Sequence, residues 1–194
     1  MHGSQNANVW ARGPQLRGGD LGTIRFIRYP PSDPEPDPDA RGISAHTDFE
    51  FFTLMHQDKP GLQFMLPPGA GDEAGQWIDA PVRPESYVII VGDMLERFTN
   101  GLLHATPHRV LPCPWQRHSI IRFVAVHPET LVEPMEQFIT DARPRAYTAV
   151  TMHKHMETTL SNLAEGKGAW DMVTDRSITA TYVYDEKVGQ GAKL

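Results

Sequence analysis

Between residues 23 and 126, short runs rich in β-branched and aromatic residues recur with turn chemistry between them. They are TIRFIRY (23–29), FFTLMHQ (51–57), LQFML (62–66), QWIDA (76–80), SYVIIVG (86–92) and HSIIRFVAV (118–126). Each is too short for an amphipathic helix, and the Gly, Pro, Asn and Asp residues between them make the pattern that of an all-β sandwich or barrel. With shorter pieces around Ile43 and from His104 to Val110, about eight strands are predicted. DKPG at 58–61 and NG at 100–101 suit hairpin turns that need positive φ. PPGAGDEAG (67–75) reads as a longer loop. PPSDPEPDPDA (30–40) has a proline at almost every second position, so it can neither donate to a ladder nor pack a core and is expected at the surface.

After Val126 the texture changes. Residues 127–147 are mixed and broken by proline, and YTAVTMHKHMETTLSNLAEG (147–166) has the spacing and terminal glycine of a helix. Met152, Met156 and Leu160 fall at i, i+4 and i+8 and predict a stripe facing the core. His153 and His155 cannot share that stripe, which argues against a metal pair there. The expected organisation is a short extension at 1–22, a β core at 23–127, and a C-terminal loop and helical buttress at 128–194.

At 194 residues and 40% apolar content the chain is large enough for one compact core. A net charge of −6 argues against nucleic acid as the partner. The single cysteine, Cys113, excludes an internal disulfide framework and fits a reducing, cytoplasmic setting. No apolar run approaches the ~20 residues of a membrane span, and the opening MHGSQNANVW lacks the build of a signal peptide, so a soluble protein away from membranes is expected.

The chemistry begins at His46-x-Asp48. Alternate residues of an extended segment point to the same side, so one imidazole and one carboxylate are offered together. A redox-active iron needs two imidazoles and one carboxylate on one face, leaving the opposite positions open. His104, His108, His118 and His127 are all downstream candidates for the second imidazole, and spacing alone selects none of them. Asp93 and Glu96 in GDMLERFTNG (92–101) read as part of a turn ahead of a hairpin rather than as an acid and a base.

HTDFEFFTLMHQDKPGLQ (46–63), Trp77-Ile-Asp, GDMLERFTNG, HRV (108–110) and Arg117-His-Ser occur in the order and approximate spacing of the isopenicillin N synthase-like family of 2-oxoglutarate- and iron(II)-dependent oxygenases, which the chain resembles from about Thr23 to His127. The resemblance implies an all-β core with flanking helices, folded as a double-stranded β-helix (a cupin-like jelly roll), with iron(II) held by His46, Asp48 and His108. It also implies that Arg117 and Ser119 grip the distal carboxylate of 2-oxoglutarate, with Tyr29 touching the same group. A planar guanidinium reads a carboxylate through charge-assisted bonds, and residues i and i+2 of a strand share a face. The asparagine usual two residues before that tyrosine is Ile27 here. Arg122 stands where an aromatic or apolar residue is usual, and strand alternation predicts that it points away from the iron and Phe123 toward it. The family's helical region ahead of the barrel is expected to be shortened or missing in residues 1–22.

The function implied is oxidation of a small organic substrate of specialised metabolism by O2, by hydroxylation or desaturation, coupled to conversion of 2-oxoglutarate to succinate. Three alternatives stand beside it: an iron oxidase of the isopenicillin N synthase type that uses no 2-oxoglutarate, an inactive jelly-roll binding module, and a zinc hydrolase.

Overall fold

The computed structural model describes Gly19 and residues 21–32, 42–66 and 75–164. The opening NANVW, most of the acidic proline stretch, most of the loop at 67–75 and the chain after Ala164 lie outside the described residues.

The predicted runs become eight strands: β1 (Thr23–Tyr29), β2 (Ile43–His46), β3 (Phe52–Gln57), β4 (Leu62–Met65), β5 (Trp77–Asp79), β6 (Val88–Val91), β7 (His108–Val110) and β8 (Arg117–Val124). They form two four-stranded sheets, one ordered β1-β8-β3-β6 and the other β2-β7-β4-β5. All their pairings are antiparallel. The chain winds back and forth between the sheets, which is the double-stranded β-helix. A ribbon of β9 (Leu131–Val132) and β10 (Val150–Thr151) follows, with helix α2 (Met152–Ala164) after it.

Alternation along the strands sorts side chains between core and surface. On β8, Arg117, Ser119 and Ile121 are buried; on β3, Thr53, Met55 and Gln57 are buried. Register places Met55 and Arg25 opposite Ile121, and Gln57 and Ile27 opposite Ser119, so these residues line one inner face. Arg122 pairs with Ile24 and Leu54 on the outer face, as alternation predicts. Met55, Ile90 and Ile121 from the first sheet pack against Leu62 and Val110 from the second, with Tyr29, Ile43, Phe64 and Phe123 partly buried around them. The apolar contact between the sheets supplies the hydrophobic stabilisation of the core.

Three local expectations are corrected. DKPG does not close a hairpin: it carries the chain from β3 in one sheet to β4 in the other. Gly61 ends this corner with φ 141°, and a Cβ there would lie 2.8 Å from Cys113 Sγ and 3.3 Å from Arg117 Cδ. GDMLERFTNG is not a turn ahead of a hairpin but a buried helix, α1 (Asp93–Phe98), lying between β6 and β7. Asn100 and Gly101 do take positive φ, but they turn the chain out of that helix. A helix this short is not stable by propensity, so its tertiary contacts hold it: Met94 and Phe98 join Ala125, Val132 and Met152 in a second apolar cluster.

The stripe on α2 is also displaced. Leu160 is 51% exposed, whereas Met152, His155 and Thr159 are fully buried. At ~100° per residue, Leu160 lies ~80° round the helix from Met152, while His155 and Thr159 lie within ~60° on its other side. Among the described residues no helix is long and apolar enough to cross a membrane.

Candidate active site

His46 ends β2, His108 begins β7, and the two are partners in the antiparallel ladder of the second sheet. Their rings are 4.3 Å apart, centroid to centroid. Asp48 follows His46 by two residues, and its Oδ1 lies 3.6 Å from both His46 Nε2 and His108 Nε2. These three residues are the group of described residues able to hold a metal ion. Of the other candidates, His104 is exposed, His118 is exposed and pairs with Asp58 at 2.9 Å, and His127 lies beside Gly19.

The donor atoms are oriented for a cation. His46 Nδ1 bonds the Ser44 carbonyl at 2.8 Å and His108 Nδ1 bonds the Thr106 carbonyl at 3.0 Å. A carbonyl only accepts, so each Nδ1 carries the proton and each Nε2 presents a lone pair toward Asp48. Thr53 donates to Asp48 Oδ2 at 2.5 Å, leaving Oδ1 toward the imidazoles. Two imidazoles and a carboxylate converging, with no fourth side chain joining them among the described residues, is the donor set suited to iron(II) with open positions.

Electrostatics follow the geometry. Burial opposes the charge on Asp48, but His108, His46 and the Thr53 hydroxyl outweigh it and hold the carboxyl below its ordinary value. Burial lowers the basicity of His108 despite Asp48. At His46 the neighbouring Asp48 outweighs burial and the pKa rises. Glu50 is pushed up to about 7 by burial and by Asp48, so this second acid beside the site is easily protonated.

A second constellation lies on the inner face of the first sheet. Arg117 is fully buried, its guanidinium centre 4.8 Å from the Tyr29 ring centroid. Two donors anchor it: Nε to the Lys59 carbonyl at 3.1 Å and Nη2 to Gln57 Oε1 at 2.8 Å. Gln57 is itself fixed through Nε2 to the Ala80 carbonyl at 3.3 Å. Arg117 Nη1, Ser119 Oγ and Tyr29 Oη are buried with no hydrogen-bond partner among the described residues. Burial pushes the Tyr29 hydroxyl above the ordinary phenol value against the pull of Arg117, so it remains a donor. Two buried hydroxyls beside an unpaired N–H of the buried guanidinium form a receptacle for an anion, because leaving such groups unpaired costs about 1–3 kcal/mol each. Ile27, where the family has asparagine, pairs across from Ser119.

Sequence reasoning missed Thr53 and Gln57, which share the inward face of β3 with Met55. The pattern also reads Asp93 as a turn residue and leaves His155 off the α2 stripe, whereas both are buried. The period of two along FTLMHQ could have found the first pair. Nothing local marks the second.

A family model described as the 2OG-Fe(II) oxygenase superfamily matches residues 22–126. A 2-oxoglutarate-Fe(II) type oxidoreductase of Aspergillus fumigatus is 32% identical over 142 residues, covering 72% of this chain and 40% of that protein. 2-oxoglutarate-dependent dioxygenase 19 of rice is 32% identical over 145 residues, covering 74% and 41%. The chain thus spans about two fifths of the length of these curated relatives. Among solved structures, a Neurospora crassa protein in complex with alpha-KG superposes with a TM-score of 0.65 at 27% identity, over 73% of this chain and 45% of that one. A rice dioxygenase for auxin oxidation gives 0.63 at 26%, over 75% and 47%.

Proposed function

Because the chain belongs to the 2OG-Fe(II) oxygenase superfamily, we propose that it uses iron(II) and 2-oxoglutarate to oxidise a small organic substrate with O2. One observation carries the reading: a three-donor metal site and an unsatisfied anion grip both face the interior between the two sheets. Residues 23–127 are taken as the catalytic core. The relatives named above supply the cosubstrate class, and the single Cys113 favours a reducing, cytoplasmic setting.

In this reading His46, Asp48 and His108 hold the iron, and Thr53 keeps Asp48 turned toward it. Arg117 Nη1, Ser119 and Tyr29 bind the far carboxylate of 2-oxoglutarate, while Gln57 and the Lys59 carbonyl keep the guanidinium from swinging away. The receptacle would hold the far end of 2-oxoglutarate and leave its 2-oxo acid end for the metal donors, which is the positioning part of catalysis. Iron(II), when bound, supplies the redox chemistry with dioxygen that no side chain of this chain can provide. Overall, one oxygen atom of O2 enters the substrate and the other enters succinate, and C1 of 2-oxoglutarate leaves as CO2. For hydroxylation, two electrons come from the substrate C–H bond and two from 2-oxoglutarate, which balances the four taken by O2. Phe123 lies on the inner face, with the Arg25 guanidinium 5.2 Å from its ring centroid.

The test is iron-dependent release of succinate from 2-oxoglutarate under air, with oxygen uptake followed in parallel. The expected result is succinate that requires iron(II) and disappears in Asp48→Ala. Oxygen uptake on a carboxylate substrate without succinate would instead establish the oxidase alternative.

A further inference from the structure

Next to the metal triad, three buried polar side chains from three parts of the chain meet. Thr47 lies just after β2, between His46 and Asp48; Asp93 begins α1 and His155 lies on α2; all are 3% exposed or less. The Asp93 carboxyl sits beside the Thr47 hydroxyl, and its Oδ2 is 4.0 Å from His155 Nε2. His155 also hydrogen-bonds the main chain of Phe49. Main-chain bonds reinforce the junction: Asp93 N–H donates to the Asp48 carbonyl at 2.8 Å and Met94 N–H to the Glu50 carbonyl at 3.2 Å.

We propose that Asp93 and His155 are positioning residues for the metal site: together they clamp the loop 47–50 from below, so that metal affinity depends on the docking of the C-terminal helix α2. The proposal rests on the reading of His46, Asp48 and His108 as metal-binding residues.

The placement answers why polar groups sit where apolar ones would cost nothing. On α2 the buried positions are Met152, His155 and Thr159, and the neighbouring cluster of Met94, Phe98 and Val132 is apolar. A leucine at position 155 would satisfy that surface. A histidine there needs a partner, and it bonds the Phe49 main chain of the metal loop, with Asp93 of α1 4.0 Å from its Nε2. Burial, then the neighbouring Glu96, holds the Asp93 carboxyl well above its ordinary value, and burial with Arg97 lowers His155 to about 3. The geometry alone ties both groups to the loop: His155 bonds the Phe49 main chain, and Asp93 sits beside the Thr47 hydroxyl with its N–H on the Asp48 carbonyl. Groups that orient metal-binding side chains from behind typically change metal affinity by about 10- to 100-fold when removed.

The test uses the full chain and Co(II), titrated anaerobically and followed by its visible absorption. His155→Phe keeps a planar aromatic ring and removes the bond to Phe49; it should weaken Co(II) binding by at least about tenfold. His155→Asn, whose amide can still reach Phe49, should recover most of the affinity. Met152→Ala, on the same buried face, should lower thermal stability and leave Co(II) affinity unchanged. If His155→Phe does not fold, Asp93→Leu against Asp93→Asn gives the same comparison from the other side of the clamp. Equal Co(II) affinity in wild type and both disruptive variants overturns the clamp, as does an equal loss in Met152→Ala, which would mean general loosening. No Co(II) uptake by the wild type, or undiminished uptake by Asp48→Ala, would overturn the metal triad itself, a different failure.

Discussion

Replacing Arg117 by glutamine separates the grip on 2-oxoglutarate from the anchoring of the grip. Two of the guanidinium nitrogens are already committed inside the protein, Nε to the Lys59 carbonyl and Nη2 to Gln57 Oε1, leaving Nη1 for a bound anion. The variant therefore loses one charge-assisted hydrogen bond to 2-oxoglutarate, worth about 1.5–3 kcal/mol. At 1.4 kcal/mol per tenfold, the dissociation constant should rise by about 10- to 150-fold. The Lys59 carbonyl and Gln57 Oε1 lose their donors as well, so the metal-free protein should also be about 1–3 kcal/mol less stable. The assay is calorimetric titration of 2-oxoglutarate into Co(II)-loaded protein, with pyruvate as the comparison. Pyruvate has no distal carboxylate and should bind both proteins alike. A 2-oxoglutarate constant within about twofold of wild type, or an equal loss for pyruvate, would refute the assignment of Arg117 to the distal carboxylate.

Other expectations follow from single contacts. Leu62 is fully buried between the sheets, so Leu62→Ala should lower the urea-unfolding free energy by about 2–5 kcal/mol. A Cβ on Gly92 would collide with the Glu50 carbonyl oxygen and stand 3.1 Å from that of Asp48, so Gly92→Ala must push the metal loop. It should cost about 1–3 kcal/mol and weaken Co(II) binding, and a variant with wild-type metal affinity would show the loop to be more yielding than this packing implies. His155 has a folded pKa of about 3, below the ordinary 6.5. The unfolded chain therefore binds the proton first as pH falls, and stability is lost from about pH 6.5 downward, fully retained above it. Between pH 7 and 5 this group alone should remove about 2 kcal/mol. Subtracting the same measurement on His155→Phe isolates it, and equal pH slopes in the two proteins would contradict it.

Much of this molecule is legible in its sequence because the strands obey a period of two. Arg117, Ser119 and Ile121 alternate with His118, Ile120 and Arg122, and the structure buries the first set. The inward turn of the anion grip and the outward turn of Arg122 are thus written into β8. His46 and Asp48 were likewise readable, being two apart on one segment. The second imidazole was not fixed by spacing, because His104, His108, His118 and His127 all follow downstream. The ladder contact between His46 and His108 decides it. The errors concentrate where tertiary contacts override local pattern. DMLERF has too few residues to declare a helix, yet carbonyls of the metal loop capture its first N–H groups and apolar neighbours bury it. The α2 stripe was drawn through methionine and leucine, and hydropathy alone could not foresee that a histidine would be drawn inward by the Phe49 main chain.

His46, Asp48 and His108 are expected to take one iron, which then accepts 2-oxoglutarate. Anaerobic titration of the protein with iron(II) and then with 2-oxoglutarate, followed by visible absorption, tests this directly. The predicted result is a weak charge-transfer band that saturates at one iron per chain and is absent from Asp48→Ala. A wild-type spectrum with no such band, or the same band in Asp48→Ala, would contradict it.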